Sequence, residues 1–197
     1  MNTQTNFDIL YIIDSLKKEY EYILEIEIQN LLYLSSLLSL FDGNPHSTWG
    51  YFFMNIDGKP FCEEIPMQLD LMCKRNILIR NGEKYKLSEK GEKFFSSIYN
   101  FTSTEGRKKY LKACTEALLT IPLPILTNSI GKESMIMDLN KTPRRELLGN
   151  GISINLLYKD FKGLKSVLGE NSTDLWIVST LWIKYLNNIA ERGGNID

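Results

Sequence analysis

A single histidine, His46, stands in the whole chain, and that scarcity removes most routes to catalysis before any other residue is considered. A serine or cysteine nucleophile would have one imidazole to serve as its base. A zinc site would have to be completed by carboxylates or thiolates at suitable spacing. His46 itself lies in Gly43-Asn44-Pro45-His46-Ser47, a loop composition, and reads as a solvated loop residue. Cysteine is sparse too. Cys62, Cys73 and Cys114 are odd in number and lack metal-ligand spacing, so they read as buried thiols in a reducing compartment. No glycine-rich loop runs into Lys-Ser or Lys-Thr, which removes the phosphate loop of nucleotide hydrolysis. The triplets Asp57-Gly58-Lys59 and Asp160-Phe161-Lys162 carry no evident acidic partner on a neighbouring strand and read as chance rather than as a metal-dependent nuclease. The expectation is a chain with no catalytic residues, no metal and no cofactor.

An excess of one charge is also missing. Twenty-three Lys and Arg face 24 Asp and Glu, so any nucleic-acid contact must come from a local patch. Apolar runs such as Leu175–Val178 and Leu181–Ile183 stop far short of the ~20 residues that span a bilayer. The polar segment 1–8 does not read as a signal peptide, so a soluble cytoplasmic protein with no membrane contact is expected.

What the chain does have is pattern. Residues 7–23 read as an amphipathic helix with Ile9, Leu10, Ile12, Ile13 and Leu16 on its apolar side. A longer helix carrying Ile28, Leu31, Leu32, Leu34 and Leu38 ends near Phe41, where Asp42-Gly43-Asn44-Pro45 breaks the chain. An extended aromatic segment follows at Trp49–Phe53. The next helix has Pro66 in its first turn and Ile65, Leu69 and Met72 on one face. The runs Ile77–Arg80 and Lys84–Leu87 flank Asn81-Gly82-Glu83, and Asn-Gly predicts a tight turn with positive φ at both residues. Ser88 then stands where a hydroxyl caps a new helix.

Beyond the joint at residues 100–104, a helix over 105–119 is expected to turn Tyr110, Leu111, Cys114, Ala117 and Leu118 inward and Arg107, Lys108, Lys109 and Lys112 outward. It ends at Ile121-Pro122-Leu123-Pro124, since proline restricts its predecessor and removes a donor. The pattern is weak over 126–152, apart from a short helix begun by Thr142-Pro143. Helices over 154–168 and 174–189 close the chain. The last of these is apolar around more than one face, so it either runs through the core or docks on another subunit. The fold class expected is mostly α with a small β-hairpin wing. A winged-helix domain with an N-terminal helix covers 1–100, and a helical C-terminal region covers 101–197.

The wing is the candidate contact surface. Between residues 74 and 93, seven bases outnumber three acids, and Lys74, Arg75, Arg80, Lys84, Lys86 and Lys90 are the residues expected to meet phosphate or an acidic partner. The same cations also fit a merely solvated face. Glu63, Glu64 and Asp70 on the preceding helix argue against reading of bases in the major groove, because unpaired carboxylates repel the duplex. On the last helix Trp176, Trp182 and Tyr185 are the candidate protein interface.

The succession Ile28-Gln29-Asn30-Leu31-Leu32-Tyr33-Leu34, Trp49-Gly50-Tyr51-Phe52-Phe53, residues 63–71, Asn76-Ile77-Leu78-Ile79 and Tyr85-Lys86-Leu87-Ser88-Glu89-Lys90-Gly91 resembles the winged-helix proteins of the YwgA-like group. It is also similar to the small middle components of ABC-type three-component bacterial systems, among them the Lamassu anti-phage systems. The likeness covers about residues 20–95. Where relatives often carry a Gly-Pro-Tyr-Ser-like turn, this chain has Asp57-Gly58-Lys59-Pro60-Phe61. The resemblance implies a non-enzymatic subunit bridging a coiled-coil ATPase of the structural-maintenance-of-chromosomes type and an effector, commonly a nuclease. The alternative is a winged-helix transcription regulator binding duplex DNA as a dimer.

Overall fold

A computed structural model describes residues 3–139, 148, 152–168 and 174–193. The elements are α1 (Thr3–Leu16), β1 (Ile23–Leu24), α2 (Glu25–Leu38), β2 (Met54–Ile56), β3 (Lys59–Phe61), α3 (Glu64–Lys74), β4 (Leu78–Asn81) and β5 (Lys84–Leu87). They continue as α4 (Glu89–Ile98), α5 (Thr102–Ala117), α6 (Leu123–Ser129), α7 (Ser134–Leu139), α8 (Ile152–Leu168) and α9 (Leu175–Gly193). The chain is mostly α. Its described strands form one antiparallel three-stranded sheet, in the order β1-β5-β4, and a separate β2-β3 hairpin.

The helix at the centre is α2. Every side chain from Ile28 to Phe41 is buried, the last few in a short 3-10 helix (Ser39–Asp42) that continues α2. Such a helix must find partners for its polar groups inside the protein. The Gln29 amide closes on the backbone of Cys62, donating to its carbonyl (3.3 Å) and accepting from its N–H (2.9 Å). Tyr33 donates to the buried Glu133 carboxylate at 2.8 Å, and Ser36 donates back to the Tyr33 carbonyl at 2.7 Å. Around α2, one apolar cluster runs from Phe7 on α1 to Leu186 on α9, and α5 packs against α1, α2 and α9.

Two expectations about local structure are corrected, and one hairpin is added. The first helix stops at Leu16 instead of residue 23: the N–H groups of Glu19 and Tyr20 both bond the Leu16 carbonyl, and Ile23 and Leu24 pair with Tyr85 and Lys84 of β5. The aromatic segment leads into the β2-β3 hairpin, whose Asp57-Gly58 turn has positive φ at both residues (52° and 77°). Those are the torsions that a tight hairpin needs, and they account for the Asp-Gly pair. In the β4-β5 hairpin, the turn is shifted by one residue. Asn81 stays in the strand opposite Lys84, and only Gly82 takes a positive φ (62°).

The junction of α3, wing and α4 is tightly specified. Asn76, left-handed at φ 57°, ends α3: its N–H bonds the Cys73 carbonyl (2.9 Å), and the Ile77 N–H bonds that of Met72 (2.9 Å). Ser88 caps α4, accepting from the Gly91 N–H at 2.9 Å while its hydroxyl donates to the Asn76 carbonyl at 2.6 Å. A Cβ on Gly91 would lie 2.1 Å from the Ile77 carbonyl oxygen, so the helix approaches the wing at a distance only glycine allows.

Farther on, the helix expected over 105–119 begins at Thr102, and the region of weak pattern contains α6 and α7. The short helix expected from Thr142-Pro143 lies outside the described residues. No described helix is long and apolar enough to cross a membrane.

Candidate functional site

The six cations expected on the wing are brought onto neighbouring elements. Lys74 and Arg75 close α3, Arg80 lies on β4, Lys84 and Lys86 on β5, and Lys90 in the first turn of α4. Most of them are already engaged. Lys74 pairs with Asp70 one turn back at 2.6 Å and holds that carboxyl below its usual range. Lys86 pairs with Glu21 at 2.8 Å and sits 4.5 Å from the centre of the Tyr22 ring, an arrangement that keeps its ammonium above the ordinary lysine range. Arg80 donates to the Gly82 carbonyl at 2.8 Å and lies over Tyr85, while Lys90 donates to the Arg75 carbonyl at 2.8 Å. Lys17, just past the end of α1 and not anticipated as part of this surface, bridges Asp14 (2.8 Å) and Glu92 (3.0 Å).

The outward side of α3 is different in character. Glu63 and Met67 are exposed, Met67 at 58%, and Asp70 and Leu71 are half-buried. The helix thus presents acid and apolar surface, with the cations Lys74 and Arg75 at its end. Exposed Ile79 on β4 adds apolar surface beside it.

On α9 the three candidate interface residues separate. Trp182 is buried, its ring edge-on to Phe161 of α8 at 5.0 Å, whereas Trp176 and Tyr185 are 38% and 51% exposed. Val178, Ser179, Ile183 and Leu186 share the buried side with Trp182. Of the two alternatives for this helix, one face is core and the other is open.

A residue expected outside is the most heavily bonded cation in the interior. Arg107 of α5 is buried, and its guanidinium donates to the Asp8 carboxylate (2.5 Å) and to the carbonyls of Trp49 (2.6 Å) and Thr48 (3.3 Å). It stacks over Trp49 at 4.9 Å and lies 5.9 Å from Tyr51, whose hydroxyl donates to the same Asp8 oxygen at 2.8 Å. Burial pushes the Asp8 carboxyl up to about 6 despite the opposing pull of Arg107 and Tyr51. The signal that could have found this was spacing. Arg107 stands three residues before Tyr110 and four before Leu111, inside the apolar stripe of α5.

Among the described residues no group of three or more His, Cys, Asp and Glu is arranged to hold a metal. No family model, curated protein or solved structure matches the chain.

Proposed function

We propose that the chain is a non-enzymatic adaptor subunit of a bacterial anti-phage defence complex, built on a winged-helix unit that docks proteins instead of reading bases. The winged-helix reading is supported by the order α1, β1, α2, α3, β4, β5, with β1 antiparallel to β5 and the β4-β5 hairpin projecting after α3. The observation that carries the adaptor reading is the outward face of α3. In a base-reading winged helix this face would enter the major groove, yet here it offers Glu63, Met67 and Asp70, with Lys74 tied to Asp70. Phosphate is repelled by such a face, and a mixed acidic and apolar surface is one that a protein partner can cover. A coiled-coil ATPase and an effector nuclease are the partner classes that the sequence resemblance suggests.

The test is co-expression with the products of adjacent genes, followed by affinity purification. A stoichiometric complex is expected; a lone chain recovered without partners counts against the proposal. One observation favours the second reading, a DNA-binding regulator: Arg75, Lys84, Lys90 and Lys93 are all exposed around the wing. In that case a gel shift would show sequence preference, and Lys84→Ala with Lys86→Ala would weaken binding and flatten its salt dependence. The adaptor reading predicts no sequence preference, and at most a weak, salt-sensitive contact.

A further inference from the structure

The described residues leave the outward side of α3 open, and the chemistry along it is graded from one end to the other. Glu63, Met67, Asp70 and Lys74 recur at i, i+4, i+7 and i+11, so they form one stripe along the helix, with Leu71 beside it. All of them reach solvent. Glu63 is exposed, Met67 is 58% accessible, Leu71 is half-buried, and the Asp70 and Lys74 side chains are 48% and 70% accessible. Ile65, Leu69 and Met72 occupy the opposite face and bury it in the core. An acid, Glu63, stands at the N-terminal end of the stripe, apolar Met67 and Leu71 in the middle, and Lys74 and Arg75 at the C-terminal end. Asp70 is tied to Lys74 of its own helix, whereas among the described residues no cation pairs with Glu63.

Such a gradient is complementary to its own reverse. Two α3 helices laid antiparallel, with a two-fold axis level with Leu69, set Met67 of each opposite Leu71 of the other, and bring each Glu63 to the Lys74 and Arg75 end of the other. Acid then meets base at both ends, and the exposed methionines are covered in the middle. A parallel pair would set acid on acid and base on base, and a partner helix of one charge sign would match only one end. We propose that α3 pairs antiparallel with α3 of a second copy of the chain, so that the molecule is a two-fold dimer through this helix. The proposal rests on the adaptor reading, in which protein covers α3, and names the protein. The contact is small. Eleven residues make a helix about 17 Å long, whose single face buries less than the about 800 Å² a side of a standard interface, so the dimer should dissociate between ~1 mM and ~1 μM.

The experiment is sedimentation equilibrium of the full chain across that concentration range. A reversible monomer to dimer transition is expected, weakened as added salt screens the charge pairs at the two ends. Met67→Asp, at a side chain already in solvent, should raise the dissociation constant about tenfold or more and leave the thermal unfolding curve in place. Glu63→Lys and Lys74→Glu should each raise it several-fold when the variant is alone. Mixed together, with one of them fluorescently labelled, these two variants should pair more tightly with each other than either does with itself, because each altered charge then meets its opposite across the two-fold. A chain that stays monomeric, a dimer indifferent to Met67→Asp, or two charge variants that do not rescue one another overturns the proposal. If the chain is monomeric and still forms a complex with its neighbouring gene products, the second copy is wrong and the adaptor reading stands. If the dimer behaves as described and no gene product joins it, the pairing of α3 stands and the adaptor reading fails separately.

Discussion

The Arg107 guanidinium is held by three oxygen acceptors and a stacked indole, and this shell replaces the water that it loses on burial. Removing the cation leaves the Asp8 carboxyl in the core without its charge partner, and breaking such a pair costs about 3–5 kcal/mol. Arg107→Met is therefore expected to lower the urea midpoint steeply; a loss below about 1 kcal/mol would mean that the pair is not formed in solution. Asp8 also gives a pH signature with a definite sign. Its carboxyl stands at about 6 in the folded chain, against 3.8 as its ordinary value, so the folded state holds that proton more tightly than the unfolded state. The stability contributed is fully present below about pH 4 and lost as the pH rises through about 6, a change of about 3 kcal/mol. Measured against Asp8→Asn, the wild-type chain should gain unfolding free energy between pH 7 and pH 4. A relative loss over that window contradicts the assignment. These residues were hidden in the sequence because residue type and spacing disagreed: arginine in a run of lysines reads as solvent-facing, and its partner lies 99 positions away.

Elements whose signals are local were legible in advance. The β4-β5 hairpin and the Ser88 cap of α4 were legible through Asn81-Gly82 and Ser88, although the turn falls one residue later than expected; the approach of Gly91 to Ile77 was not. β1 was not legible. A two-residue strand has no periodicity, and Ile23–Leu24 becomes a strand only because Tyr85 and Lys84 lie opposite it. The β2-β3 hairpin was half visible, since Asp57-Gly58 is a turn signal but the flanking strands are three residues each. Gly91→Ala tests the junction directly. Its Cβ would meet the backbone oxygen of Ile77, which cannot rotate away, so the helix or the wing must shift. Overpacking of this kind costs ~1–3 kcal/mol, and amide exchange should quicken first in β4, β5 and α4. An Ala variant with wild-type stability and protection would show that α4 does not approach Ile77 so closely.

At the scale of the whole molecule, burial and exposure divide in a way that composition could not announce. α2 is enclosed from Ile28 onward, while α9 keeps Trp176, Leu181 and Tyr185 accessible. Hydrophobicity alone did not distinguish these helices, because α2 carries Gln29, Ser36 and Ser39 inward on hydrogen bonds and α9 carries aromatic residues outward. The outward face of α3 carries Glu63, Met67 and Asp70, and around the β4-β5 hairpin Lys74 and Lys86 pair with Asp70 and Glu21 while Arg80 and Lys90 donate to backbone carbonyls. On this account the molecule works by being bound. The most direct measurement is sedimentation of the full chain co-expressed with its neighbouring gene products. The chain should co-sediment in a complex of defined stoichiometry that withstands added duplex DNA; a free monomer that instead shifts onto one DNA sequence would contradict the adaptor account.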